Sequence, residues 1–151
     1  MATRPQWGMT PQQSIEAECR RRGRDEVVAG CIMLLGGGGL DADGVNPQLV
    51  VALGGPPARW AVTGEEGGPD YWLRVWAARG LLWTWDDSAT EAVVAALSDP
   101  AWRVREMAAK VAARHRLGEA LEAVQSLADD EVARVRTAAE RAATMIIADG
   151  A

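Results

Sequence analysis

Phenylalanine is absent from this 151-residue chain, tyrosine and histidine occur once each, and there are only two cysteines. Each shortage removes a class of structure or chemistry. The apolar content is Ala, Val, Leu and Trp, with β-branched residues rarely consecutive, a choice that favours helix over strand. Cys19 and Cys31 form no CxxC pair and read as small buried hydrophobes suited to a reducing compartment. His115 has no second His and no patterned Cys beside it, so neither a metal site nor a thiol or hydroxyl triad can be assembled. The expectation is a chain that is not an enzyme and holds no metal and no cofactor. No apolar run approaches the ~20 residues needed to span a bilayer, and the first ten residues, MATRPQWGMT, lack the apolar core of a signal peptide. A cytoplasmic protein without membrane association is expected.

What is present is a soluble globular composition, 48% apolar and 25% charged. A chain of this length fits one domain and can hide ~70% of the surface exposed when unfolded. The 16 basic side chains are 15 Arg and the single Lys110, a bias read as genome composition. A net charge of −5 argues against a general nucleic-acid or membrane binder, although a local basic face can persist inside an acidic total.

Caps and first-turn prolines punctuate the chain into helices. Thr10-Pro11 with Gln13 reads as a capping box opening a helix that ends at Gly23; Asp25 can cap a second, stopped by Gly36 to Gly39. Asn46-Pro47 opens a short third helix closed by Gly54-Gly55, and the stretch to Gly68 reads as a loop. Pro69 starts a long helix reaching about Trp85, Ser88 with Glu91 forms another capping box, Asp99-Pro100 starts the next helix, Gly118 ends it, and Asp129-Asp130 caps the last. The prediction is eight helices in four hairpins. Thirteen of the 16 glycines precede position 69, so residues 1–68 read as degenerate and residues 69–151 as regular parts of a single 1–151 domain.

The segments LRVWAARGLL, VREMAAKVAA and VRTAAERAAT begin at Leu73, Val104 and Val135, two steps of 31 residues, with Arg74, Arg105 and Arg136 beside them and Ala77, Ala108 and Ala139 one turn on. A fixed period between 20 and 50 residues signals a solenoid whose units bury their apolar faces only by stacking. The i, i+4, i+8 core column runs Leu73, Ala77 and Leu81; Val104, Ala108 and Ala112; Val135, Ala139 and Ala143. In the preceding helices Val94 and Leu97 pair with Val124 and Leu127 at a spacing of 30.

The stretches LSDPAWRVREMAAKVAARHRLGEA and LADDEVARVRTAAERAATMI resemble HEAT repeats, of the short bacterial kind also seen in phycobilisome-lyase-type proteins. The resemblance covers Ser88 to Ile147, reaches Pro69 more weakly, and extends to the N-terminus by helix pattern alone. It implies an all-α, α-α superhelix (solenoid) of about four antiparallel hairpins. It also implies a ladder in which turn aspartates, here Asp99 and Asp129, meet early arginines, here Arg105 and Arg136; Arg74 extends the column, and Asp70 matches poorly. These arginines are read as structural.

The family fold implies that the other side of the second helices lines a concave surface. Steps of i, i+7 and i+11 there give Trp72, Arg79 and Trp83; Arg103, Lys110 and Arg114; and Arg134, Arg141 and Met145, with Glu106 the main acidic interruption. The ribbon reads either as a solvated charged face or as a binding surface. Trp72, Trp76, Trp83 and Trp85 beside Tyr71 are too many indoles for one small-alanine core; they fill space or anchor an interface, with Trp72 singled out for the second role. GGGGLDADG lacks the Lys-Ser or Lys-Thr of a phosphate loop and the terminal Glu of a calcium loop, so it reads as a turn. Arg20-Arg21-Arg22 closes a helix where cations meet the helix dipole. The function expected is a non-catalytic scaffold binding a partner protein or acidic peptide on the concave face. The alternative is a nucleic-acid-binding, DNA-glycosylase-like protein using the same basic face; pigment attachment, as in the lyase relatives, lacks supporting residues. The oligomeric state is left open.

Overall fold

A computed structural model describes residues 8–38, 45–63 and 70–150, and every regular element among them is helical. Pro69, residues 39–44 and residues 64–68 lie outside the described residues. The α-helices among those described are α1 Pro11–Arg22, α2 Arg24–Leu35, α3 Pro47–Gly54, α4 Trp60–Thr63, α5 Tyr71–Trp83, α6 Thr90–Ala96, α7 Trp102–His115, α8 Leu121–Ser126 and α9 Ala133–Gly150. They group into two compact units, Met1–Asp86 and Asp87–Ala151.

In the first unit, the predicted capping box is present in both directions. Thr10 Oγ1 accepts from the Gln13 amide at 3.2 Å, and Gln13 Oε1 accepts from the Thr10 amide at 3.0 Å. Gly23, at φ +91°, makes the sharp reversal into α2. The arginines closing α1 do more than face the dipole: Glu18 is buried, and its carboxylate accepts from Arg22 Nε at 2.6 Å. That charge-assisted bond offsets the cost of taking Glu18 out of water. Ser14 Oγ donates to the Ala52 carbonyl at 2.6 Å and ties α1 to α3.

Helix α5 packs against α1, α2 and α3. Close approach is possible because Gly80 has no Cβ: one placed there would lie 2.7 Å from Leu53 Cδ2 and 3.0 Å from Cys31 Sγ. The region expected to be one loop after Gly54 is corrected. Pro56–Ala58 form a 3-10 turn and α4 follows at once, because prolines suit the first turn of a helix and Ala58 is fully buried. This is why nine helices, rather than eight, occur among the described residues.

The second unit holds two stacked hairpins, α6 with α7 and α8 with α9, and α7 packs principally against α9. Val104, Ala108, Ala112, Val135 and Ala139 are buried as the repeat requires, their small side chains letting the helices approach. The first helices keep the full 31-residue step: Val93 and Val124 are the buried equivalents, and Val94 is only half-buried, which corrects the spacing of 30. Helix starts also differ in detail. The N-cap position of α6 is Ala89, with Ser88 inside a 3-10 turn. Arg116, at φ +49°, ends α7 before Gly118 is reached.

The arginine ladder is resolved atom by atom in this unit. Arg105 Nη1 donates to the Asp99 carbonyl at 2.9 Å and the Pro100 carbonyl at 3.1 Å, while Nε and Nη2 grip the Asp130 carboxylate at 2.8 and 3.2 Å. The partner carboxylate is therefore Asp130, and the assignment to Asp129 is corrected: Asp129 is exposed, one residue before the turn. Geometry dictates the choice. Asp130 Oδ1 also accepts from the Val132 amide at 2.9 Å, as Asp99 Oδ1 accepts from the Ala101 amide at 2.8 Å, so the two side chains cap equivalent turns 31 residues apart. Arg136 Nη1 reaches the Asp130 carbonyl at 2.6 Å, repeating the bond of Arg105 to Asp99.

Candidate functional site

The first turns of α7 and α9 bring together residues that helical periodicity puts on one face. Arg103, Glu106 and Lys110 recur at i, i+3 and i+7 along α7. Glu106 is 8% exposed, and its carboxylate accepts from Arg134 Nε at 2.9 Å and Nη2 at 3.1 Å, a bidentate bond from α9 to α7. Lys110 Nζ stands 3.9 Å from the same carboxylate. The acidic residue in the basic ribbon thus anchors it.

Trp102 completes the arrangement. The Arg103 guanidinium lies 4.4 Å and that of Arg134 5.2 Å from its ring centroid, within the ~6 Å range in which a cation is attracted to the ring quadrupole. Arg134 is held by Glu106 at one edge and faces Trp102, yet its side chain remains 65% exposed, so donors stay available at the rim. Arg141, 31 residues beyond Lys110, is exposed further along α9. A half-buried indole bordered by forked donors suits carboxylates flanked by apolar or aromatic groups.

The other ribbon residues divide between the units. Arg114 is exposed near the end of α7. Trp72, Arg79 and Trp83 belong to α5 in the first unit. Trp72 is half-buried and stacks on the buried Trp76, ring centroids 6.2 Å apart, with the tilted Tyr71 ring 5.3 Å from it. Trp83 is half-buried in the last turn. Arg79 is corrected from surface cation to helix-end partner: Nη2 donates to the Leu53 carbonyl at 2.7 Å near the end of α3, and Nε is buried without a hydrogen bond. Burial holds the Arg79 guanidinium pKa below its ordinary value. Arg74 is half-buried on the same helix.

Trp102 escaped the sequence reading, although Tyr71 stands 31 residues before it and supplied a signal. The burial of Glu106 had no such signal, since an acid one turn into a helix is ordinary on a solvated face. Among the described residues no group of three or more His, Cys, Asp and Glu could hold a metal ion, and no helix is long and apolar enough to cross a membrane. The Cys31 thiol is pushed up to about 12 by burial and secondarily by Cys19, which disfavours the nucleophilic thiolate.

A family model described as HEAT repeats matches residues 65–144, more than half of the chain. No curated protein and no solved structure matches.

Proposed function

The chain belongs to the HEAT-repeat family, and we propose on that premise that it is a non-catalytic binding module whose α7–α9 face takes an acidic, extended segment of a partner protein. HEAT repeats commonly serve as protein-interaction scaffolds. The observation that carries the reading is the Trp102 ring bordered by Arg103 and Arg134 at 4.4 and 5.2 Å, because Trp and Arg together supply area and directed donors. Lys110, Arg141 and Arg114 continue the cationic surface toward the C-terminal ends of the helices. In the family arrangement this face is the concave one, and Trp72 and Trp83 are further candidates for contact. We place the repeats in the short bacterial, phycobilisome-lyase-like group by their residue pattern, and the protein in the cytoplasm.

The test is affinity capture from native cytosol with the parent and with a Lys110→Glu, Arg141→Glu double variant. A protein retained by the parent and lost by the variant supports the reading; its equal retention by both removes the face from consideration. The variant should remain folded, losing about 1 kcal/mol, since Lys110 is a half-exposed neighbour of Glu106 and Arg141 is exposed. DNA binding that falls steeply with salt and is lost on Arg103→Ala and Arg141→Ala substitution shifts the assignment to nucleic acid.

A further inference from the structure

We propose that the partner segment on the α7–α9 face is a polyproline II chain with an acidic residue at every third position, an assignment that rests on the acidic-segment reading above. Helices α7 and α9 run side by side, in the same direction and in register. Arg134 grips Glu106 near their starts, and Arg116 Nε lies 4.0 Å from Asp149 Oδ1 near their ends. Cations at equivalent positions therefore form a grid. Arg103 and Arg134 make one row, and Lys110 and Arg141 make the next, seven residues and about 10.5 Å further along the helices. The two columns stand ~8–10 Å apart, the usual separation of packed helix axes. Arg141 is exposed and makes no hydrogen bond or ion pair among the described residues, and the Lys110 side chain is 48% exposed.

The strip between the columns decides which kind of chain can lie there. Helical periodicity puts Trp102, Glu106 and Ala113 of α7 and Ala138 of α9 along it. Glu106, Ala113 and Ala138 are buried, so beyond Trp102 the floor is sealed and offers little apolar area. A partner helix docks by laying an apolar stripe into an apolar groove, and these four residues provide none. A partner strand needs a sheet edge, and every regular element among the described residues is helical. A polyproline II chain needs neither, because its backbone makes no internal hydrogen bonds and stays hydrated. With three residues per turn it brings every third side chain to one face at a repeat of about 9.3 Å, a mismatch to the row spacing of about 1 Å that flexible Glu, Lys and Arg side chains absorb. Trp102, with the Arg103 and Arg134 guanidiniums 4.4 and 5.2 Å from its ring centroid, supplies an aromatic surface for a proline ring. Glu106 reinforces the spacing: it lies between the rows, so a partner carboxylate placed midway meets a like charge.

The test is calorimetric titration of the full chain with two synthetic peptides of identical composition and charge. One repeats Glu-Pro-Ala; the other keeps its prolines in place and carries the glutamates at irregular spacing. The regular peptide should bind about tenfold tighter at equal salt. Lys110→Glu with Arg141→Glu should remove that advantage, and a peptide with lysine at the glutamates that meet the second row should regain it on the double variant. Circular dichroism checks the fold of the variant; if the pair fails to fold, Arg141→Glu alone, at an exposed position, should weaken the regular peptide about threefold. Equal affinity for the two peptides overturns the three-residue spacing and leaves the acidic-segment reading standing. Tighter binding of a helical peptide with glutamate at every seventh position overturns the polyproline II assignment. Binding that ignores the charge at 110 and 141, or no binding of any acidic peptide, overturns both the spacing and the reading beneath it.

Discussion

Replacing Asp130 by Ala should cost far more than the same change at Asp129, its neighbour and a chemically identical side chain. The Asp130 carboxylate is 6% exposed and the Arg105 side chain 12%, so the pair is largely removed from water. Deleting one member of such a pair costs ~3–5 kcal/mol when the other is stranded. Arg105 keeps its two carbonyl acceptors, which reduces the penalty, whereas the Val132 amide loses its cap, a loss of ~1 kcal/mol. The expected cost for Asp130→Ala is about 2–4 kcal/mol, against about 0.5 kcal/mol or less for the exposed Asp129→Ala. Asp130→Asn should fall between, since an amide oxygen can still accept from Val132 but loses the charge-assisted fork. Urea unfolding followed by circular dichroism measures the differences, and amide exchange in α7 and α9 places them in the second unit. Equal effects of the two Ala substitutions would refute the ladder as a source of stability.

The same pair predicts a pH response. The Arg105 hydrogen bonds, and after them the Val132 amide, hold the Asp130 carboxyl below its ordinary value. The stability it adds is thus present above the unfolded pKa of ~3.9 and lost as pH falls through the lower folded value; acid titration of unfolding midpoints should show this loss in the parent and not in Asp130→Asn. Gly54→Ala should destabilise the first unit by about 1–3 kcal/mol, because the new Cβ would lie 2.6 Å from Ala58 Cβ and 2.7 Å from Trp76 Cδ2; unchanged thermal unfolding would contradict that packing. A thiol reagent at pH 8 should modify the half-buried Cys19 and spare Cys31, whose thiol burial pushes up to about 12. Mass spectrometry showing comparable modification of both in the folded protein would count against the buried position.

Helix type, most helix ends and the 31-residue repeat were legible because they depend on local chemistry. A capping box, a proline tolerated in the first turn and a glycine at φ +91° act within a few residues and leave a direct trace in composition. Most of the Ala-rich core column was equally readable, since period and residue size are both written in the chain; Leu73 and Ala143, at its ends, are only half-buried. Local signals misled where two residues were chemically equivalent. Asp129 and Asp130 differ in no intrinsic property, and the choice between them depends on which one caps the Val132 turn while facing Arg105 from the next hairpin. The 31-residue step from Asp99 could have resolved it; the burial of Arg79 and Glu106 could not have been resolved so. Periodicity places a side chain on one side of a helix, but whether that side meets water, the end of α3 or an arginine from α9 depends on elements 26 and 28 residues away in the chain. Local propensity and repeat spacing therefore specified the helices and their stacking units, while long-range packing determined which charges remain at the surface and which are used to hold the helices together.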